Sequence, residues 1–224
     1  MIRYFLVLCF VFTSTLVYSQ QDGDVKYSFG VRGYNYTGLP KLMNGNQGRQ
    51  YISTNFNSYL FKFNDNLYSY RFNGNYNNQS IGYDNNCEGC GSFTGKLKDY
   101  AFKTGFEKNF IYGKVQPYIA FDLGYRSDEL NGHIAAENVR DLDFSFRKRG
   151  FTISPGLGLK ISPVKAISIF AEGNLEYFYA WGKETTAATN EGDPVSSHKF
   201  KKGEYLFNPI SVGVQFHFGT RERM

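Results

Sequence analysis

A C-x-x-C pattern is the first feature with possible chemistry in this chain. Cys87 and Cys90 have a spacing found in redox pairs, in halves of zinc sites and in small disulfide loops. A thioredoxin-like pair needs a helix start within an α/β unit, and a zinc site needs further ligands that His133 or His198 would supply only by accident of folding. An oxidising compartment favours a disulfide between Cys87 and Cys90, with free thiols as the alternative.

Histidines and a close pair of carboxylates are the next candidates for chemistry. A hydrolase needs Ser or Asp beside a His at one level of the fold, and no predicted strand supplies that pair near the end with the long loops. Glu172 and Glu176 share one face of one predicted strand, where they suit partners of cations better than an acid–base pair. The sequence predicts a protein that is not an enzyme and has no cofactor or metal, with a membrane enzyme as the weaker alternative.

The N-terminus predicts export. Arg3 precedes an apolar run from Phe5 to Val17, and Ser19 ends a stretch suited to cleavage. A transmembrane helix is the rival interpretation, but the run is shorter than the ~20 residues that span a bilayer. We therefore predict a signal peptide at 1–19 and one domain at 20–224.

The composition suits a membrane barrel. The chain has 22 Phe, 18 Tyr and 24 Gly but is only 42% hydrophobic, as expected when apolar residues occupy every second position of a strand. A soluble β-sandwich of similar size is the alternative. The net charge of +5 comes without a dense basic run, which argues against a nucleic-acid partner.

Period-two alternation supplies the elements that position these residues. Eight segments alternate, with short connections after the second, fourth and sixth and long connections after the first, third, fifth and seventh. Outer-membrane barrels sort their turns and loops in this way. The sequence predicts an all-β, eight-stranded, antiparallel up-and-down transmembrane β-barrel with long loops at 77–94, 127–147 and 182–203.

One face of each segment is apolar and suits lipid, whereas the other carries charges of both signs. An eight-stranded barrel is only wide enough for its side chains to fill it, so we predict a paired ionic plug without an open pore. Pairing about the turn at Ser162 to Ala166 would set Gly158 opposite Phe170 and Gly156 opposite Glu172, either as aromatic cover that pins the register or simply as glycines that ease the bend. The predicted lumen ions are Arg32, Lys62, Arg71, Asp99, Lys103, Glu107, Asp122, Arg126, Lys160, Glu172 and Glu176.

Aromatic residues near the strand ends predict two girdles. Tyr177, Tyr179 and Trp181 suit an extracellular girdle, and Phe63, Tyr68, Phe216 and Phe218 suit a periplasmic one. The ordinary preference of aromatic residues for strands remains the alternative for any one of them.

The last segment carries a family resemblance. Ser211, Gly213, Phe216 and Phe218 have the spacing of the C-terminal assembly signal of Gram-negative outer-membrane barrels. With the signal peptide and the alternating segments, the chain resembles small outer-membrane proteins of the OmpA/OmpX type. The resemblance implies the outer membrane as the location, outer-membrane lipid and the barrel assembly machinery as partners, and a role as a scaffold or as a subunit of a larger outer-membrane complex. A narrow channel for small solutes is the alternative.

Overall fold

The strands of this chain follow directly from its alternating sequence. The computed structural model describes residues 25–33, 35–38, 50–53, 57–65, 68–84, 92–111, 113–136, 139–188 and 195–220; the predicted signal peptide and the Cys87/Cys90 pair lie outside these ranges. In the described ranges, no helix has the length and apolar character needed to cross a membrane. The strands are β1 (Val25–Arg32), β2 (Asn35–Gly38), β3 (Gln50–Ser53), β4 (Ser58–Asp65), β5 (Tyr68–Asp84), β6 (Ser92–Asn109), β7 (Val115–Ala136), β8 (Val139–Val164), β9 (Ile167–Ala188) and β10 (Ser196–Thr220).

The strands form a closed antiparallel barrel. Its order around the ring is β1, β10, β9, β8, β7, β6, β5 and β4. Consecutive strands from β4 to β10 pair with one another, whereas β1 pairs with β4 on one side and with β10 on the other, which closes the sheet. Val31 lies opposite Val214 on one side of β1 and opposite Tyr59 on the other. Strands β2 and β3 pair with each other as a separate hairpin. The prediction of an all-β antiparallel barrel is confirmed.

The outer surface of the barrel carries its apolar side chains. Leu157 is 67% exposed and Phe102 is 65% exposed, whereas Arg71 on the opposite face is 1% exposed. Every backbone group of a closed barrel can pair within the sheet, so such a surface can face hydrocarbon without an unsatisfied edge. The apolar side chains therefore form a band suited to lipid, and the charged side chains occupy the lumen.

Strands β5 to β10 are much longer than predicted. Strands β7 to β10 have between 22 and 26 residues, whereas a membrane needs only ~9–11 residues of a tilted strand. The long loops predicted at 77–94, 127–147 and 182–203 are wrong in large part, because the strands continue through most of each range. The first segment, in contrast, leaves the barrel at Arg32 and not at Tyr36.

An aromatic row marks the level at which the outer surface changes. The outer surface changes there from apolar to polar. In β8, for example, the outer residues Ile153 and Phe151 are apolar, and the next two outer residues, Arg149 and Arg147, are charged. We call the strand portions beyond the row the extension: residues 78–84, 92–98, 127–136, 139–149, 183–188 and 196–203. At that level the described pairings join only β5 to β10, so the extension is a sheet without β1 and β4. The aromatic row consists of Tyr76, Tyr100, Tyr125, Phe151, Tyr179 and Tyr205.

Two irregularities shift the register and correct one prediction. Gly158 lies opposite Glu172, not Phe170, and Gly156 lies opposite Asn174, because the β8–β9 turn consists of Lys165 and Ala166 alone and not of Ser162 to Ala166. A slip between Ile161 and Val164 then shifts the register by one residue. Glycines are nevertheless covered by rings. The Phe170 ring lies where a Cβ of Gly213 would be, and the Tyr118 ring does the same at Gly158.

A second irregularity lies in β10, between Asn208 and Ser211. It contains Pro209, which has no N–H to donate to the ladder. The extra residue exchanges the two faces of the strand, so that Glu204 and Asn208 before it and Ser211 and Gln215 after it share the inner side.

Candidate functional site: the ion-paired lumen

The lumen is filled by layers of side chains, and the layer nearest the start of β1 and the end of β10 is polar and uncharged. The Ser28 hydroxyl lies 2.8 Å from Nδ1 of His217, and the Ser168 hydroxyl lies against Nε2 of the same ring. Asn64 donates to the Ser28 oxygen at 3.0 Å. Both ring nitrogens of His217 are thus occupied, and Ser28 and Ser168 are buried, which makes this group a structural layer and not an accessible nucleophile.

The next layer centres on one carboxylate. Glu107 pairs with Lys62 and, at 3.4 Å, with Lys160. The ammonium groups of both lysines also lie over the ring of Tyr118, at 5.4 and 5.8 Å from its centre. An aromatic face attracts cations, which explains why Tyr118 belongs in an ionic interior.

Arg71 occupies the middle of the lumen. Its Nε and Nη2 donate to the two oxygens of Asp122 at 2.8 and 2.6 Å, and its Nη1 and Nη2 donate to Glu172 at 2.7 and 2.9 Å. Glu172 also accepts from Arg32 at 3.2 Å and from the Tyr118 hydroxyl at 3.0 Å. The planar guanidinium suits two bidentate carboxylate contacts, and these fix strands β5, β7 and β9 against one another.

Arg126 repeats this arrangement nearer the extension. Its guanidinium donates to Asp99 at 3.2 and 3.0 Å, to Asp128 at 2.9 Å and to Glu176 at 2.9 Å. Lys103 pairs with Glu176 and donates to Ser154 at 3.1 Å. Lys148 continues the stack with Asp128 at 3.4 Å and Glu204 at 2.9 Å.

An apolar cluster lies inside the extension, beyond the last ion pair. Phe146 stacks on Phe200 at 5.5 Å between ring centres, and Phe93 meets Phe144 edge to face at 6.3 Å. Phe93 lies where Cβ atoms of Gly95 and Gly132 would be, so those two glycines make room for its ring. We call this cluster the apolar cap: Ile81, Phe93, Leu97, Leu130, Ile134, Phe144 and Phe146.

All eleven residues predicted for the lumen lie in it and take part in ion pairs. The sequence prediction does not include Asp128, Lys148 and Glu204, because Asp128 lies in the predicted loop 127–147 and Lys148 and Glu204 directly follow the predicted loops 127–147 and 182–203. Within the lumen the ion pairs join seven basic and seven acidic side chains, so their formal charges cancel; the exposed Lys202 also contacts Glu204, at 3.6 Å, from outside this set. The set is Arg32, Lys62, Arg71, Lys103, Arg126, Lys148 and Lys160 against Asp99, Glu107, Asp122, Asp128, Glu172, Glu176 and Glu204.

Little space remains in the lumen. A cavity of about 50 Å³ lies between the Arg71 and Arg126 layers and is lined by Asn73, Lys103, Asp122, Arg126 and Glu176, among others. A cavity of this kind needs about 10–15 Å³ to hold one water molecule, so this one has room for a few waters. Unpaired ions would be costly to bury, at several kcal/mol each, and the mutual pairing removes most of that cost.

His133 has neighbours that the sequence interpretation did not foresee. On the outer face of the extension, its Nδ1 lies 2.9 Å from Asp143 and its Nε2 lies 3.4 Å from Asp141. Hydrogen bonds to these carboxylates raise the pKa of His133 above its ordinary 6.5. The nearby Ser145 donates its hydroxyl proton to Asn131 at 2.7 Å and not to His133.

The remaining predicted residues lie as follows. His198 is exposed in β10 opposite Glu184, and the described part of the chain holds no group of three His, Cys, Asp or Glu side chains that could bind a metal ion. Ser211 and Gly213 face the lumen, whereas Phe216 and Phe218 face outward. The predicted girdle residues lie on the outer face: Tyr177 packs against Tyr205 at 5.0 Å between ring centres, Trp181 packs against Phe151 at 5.7 Å, and Tyr179 is exposed.

Comparison with known proteins supports the fold. No protein-family model matches the chain, and no curated protein sequence matches it either. Among solved structures it is similar to a major outer membrane protein from Thermus thermophilus, with a TM-score of 0.55 and 10% identity over 87% of this chain and 99% of that chain. It is also similar to CarO of Acinetobacter baumannii, with a TM-score of 0.41, too low to carry an argument, and 9% identity over 84% of this chain and 97% of that one.

The Thermus likeness shows the fold, which is that of an outer-membrane β-barrel. The band of exposed apolar side chains agrees with it, and outer-membrane localisation is consistent with both observations. The narrower OmpA/OmpX type stays a prediction.

Proposed function

We propose that this chain is an integral outer-membrane protein with an eight-stranded barrel, a plugged lumen and a scaffold function. One observation carries the proposal: the stack of ion pairs from Glu107 to Lys148 fills the lumen, and the apolar cap covers its far end. Such an interior holds neighbouring strands in place and leaves no continuous path for solutes. We therefore propose that the barrel acts as a rigid scaffold and not as a channel or an enzyme.

The extension is the proposed working surface of that platform. It continues six strands of the barrel beyond the aromatic row, and its outer face carries side chains such as Lys96, Lys98, Asn131 and Thr94. Binding sites are commonly presented by the segments that a rigid scaffold holds away from its core. We propose that the extension lies outside the cell, with the chain termini on the periplasmic side, and that it contacts other molecules directly or as part of a larger outer-membrane complex.

Planar bilayer recordings test the plugged lumen. The purified protein should show no steady conductance. Arg126→Ala/Glu176→Ala enlarges the existing cavity but leaves the Arg71 layer and the apolar cap in place, so it should stay closed as well. The matched control, Phe102→Ala/Ile153→Ala, truncates two lipid-facing side chains and should behave in the same way. Steady conductance of the unmodified protein would instead support the alternative function, a narrow channel for small solutes.

A second experiment tests the interaction role. Cross-linking on whole cells, followed by purification in a mild detergent, should recover a partner through lysines of the extension such as Lys96 and Lys98. Recovery of a strictly solitary protein would argue against membership of a complex. The same labelling reports the orientation, because lysines of an extracellular extension react with an impermeant reagent on intact cells.

Assembly is the last part of the proposal. Phe216 and Phe218 are exposed on the outer face of β10, next to the seam with β1, where a membrane insertion machinery could contact them before the barrel closes. We propose that Ser211, Gly213, Phe216 and Phe218 act as the assembly signal. Phe218→Ala should slow insertion in cells without changing the stability of the folded barrel by more than about 1 kcal/mol, because the ring faces lipid.

A further inference from the structure

Five basic side chains form a compact patch on the outer face of the extension. They lie in two rows that cross β8, β9 and β10. Arg149, Trp181 and Lys201 are aligned in the row nearer the membrane band, and Arg147, Lys183 and Lys199 are aligned in the next row. We call Arg147, Arg149, Lys183, Lys199 and Lys201 the basic patch; with Trp181 and Phe200 they line a shallow groove of about 560 Å³.

The basic patch places like charges directly opposite one another. Lys183 has Arg147 on one neighbouring strand and Lys199 on the other, and like charges at directly opposed positions destabilise a sheet. Within the described residues, the ion pair that relieves this repulsion is that of Arg147 with Glu129 at 3.1 Å. The lumen of the same protein balances its cations fully, so the surplus on this surface points to an anion from outside the chain.

The position of the patch suggests which anion. On the membrane side it borders Phe151 and Tyr179 of the aromatic row, and on the other side it borders the neutral pair Ser145 and Thr185. Aromatic side chains of barrels lie at the level of the lipid headgroups. The two basic rows are therefore confined to the height at which the phosphates of membrane lipids lie.

The dimensions of the basic patch match those of a small phosphorylated lipid headgroup. Neighbouring strands are ~4.8 Å apart and successive outer residues along a strand are ~7 Å apart, so three strands and two rows cover roughly 10 by 7 Å. Arginine offers a planar fork to phosphate oxygens, and lysine offers a mobile point charge. We propose that the basic patch binds the phosphate groups of an outer-leaflet glycolipid, with Trp181 packed against its sugar or acyl part.

Trp181 makes the proposal directly measurable. It is the only tryptophan of the chain, so its fluorescence reports on the patch alone. In a non-ionic detergent, titration with diphosphorylated lipid A should change its emission in a saturable and salt-sensitive way. Lipid A stripped of its phosphates should bind much more weakly, and inorganic phosphate should bind too weakly to compete.

A charge-neutralising pair of variants completes the test. Lys183→Gln/Lys199→Gln should weaken lipid A binding by about 30-fold, as expected for two lysines at a membrane surface. The control Lys96→Gln/Lys98→Gln makes the same charge change on β6, outside the patch, and should alter the affinity less than about twofold. Heat-dependent migration in detergent gels verifies that each variant is folded.

Three results would overturn the proposal: no binding of lipid A, equal weakening by both variants, or binding of inorganic phosphate that is as tight as that of lipid A. The last result would assign the patch to a free anion. The proposal rests on the extracellular position proposed for the extension, but the two can fail separately. The detergent titration reports the site irrespective of orientation, whereas labelling of intact cells reports the orientation irrespective of the site.

Discussion

The barrel and its extension are built from the same strands, but the polarity of their inner and outer faces is reversed. Along β7, the inner residues Asp122 and Arg126 are ionic and the outer residue Leu123 is apolar at the membrane level. Farther along, the inner residues Leu130 and Ile134 are apolar while the outer positions become polar. The strand reaches its second half without a slip in its pairing with β6. The inside of the barrel is thus polar where the outside is apolar, and apolar where the outside is polar.

The contrast shows that the surroundings decide which face is apolar. In the membrane band, lipid accepts apolar side chains outside, and the ions inside pair with one another. In the extension, water surrounds the outer face, and the sheet gains stability by burying apolar side chains on its inner face, as a soluble protein does. The aromatic row lies at the change between the two regimes, and so does the proposed phosphate site.

The largest expected effect on stability comes from breaking the ion pairs of the lumen, which the apolar cap lacks. Arg71→Met removes the partner of Asp122 and Glu172 in a fully buried layer, and leaving buried charges unpaired costs about 3–5 kcal/mol. We expect that loss in the free energy of unfolding, measured by urea titration in lipid vesicles. Arg149→Met, the same exchange on the exposed outer face, should change it by less than about 0.5 kcal/mol. Equal effects of the two variants would mean that the ion pairs do not stabilise the barrel.

A charge on the outer surface tests where the membrane band ends. Leu157→Arg places an ion on the lipid face, about midway between Phe151 of the aromatic row and the end of β8 at Val164. It should cost about 2–4 kcal/mol, because a cation is poorly solvated at that depth. Thr94→Arg adds the same side chain to the exposed outer face of the extension, and its cost should be within about 0.5 kcal/mol. Unfolding by urea in vesicles measures both. A costly Thr94→Arg variant would contradict the assignment of the extension to water.

Much of the barrel could be predicted from sequence because period two sorts residues by face. Alternation around Arg71, Asp122 and Glu172 predicts that they share the lumen, but it contains no information about the level of each residue along the axis. The pairing of Arg71 with Asp122 and Glu172 depends on strand stagger, which the slip near Val164 also changes.

The extension does not follow from an alternation with one fixed apolar face. Along β7 the inner face is ionic up to Asp128 and apolar from Leu130, so the two faces exchange their character between these residues. A clue was present in the sequence: Leu142, Phe144 and Phe146 alternate with Asp141, Asp143 and Ser145 in the middle of a predicted loop. This alternation predicts that β8 continues through residues 141–146 once either face is allowed to be the apolar one.

The smallest expected effect is a pH dependence confined to the extension. His133 lies at the surface and bridges Asp141 and Asp143 across β7 and β8, and these carboxylates raise its pKa above 6.5. A raised pKa in the folded protein means that the contact stabilises this part of the sheet fully below pH 6.5 and loses that effect as the pH rises through the higher, folded value. NMR titration of the ring protons should therefore give a pKa above 6.5 for His133, and Asp143→Asn should lower it. Amide exchange rates, divided by the intrinsic rate at each pH, should rise for neighbouring β7 residues over the same pH range, while the corrected rates of the amides beside Arg71 should stay constant, because that layer is buried away from the solvent. A common pH response of both regions would show that the extension and the barrel open as one unit.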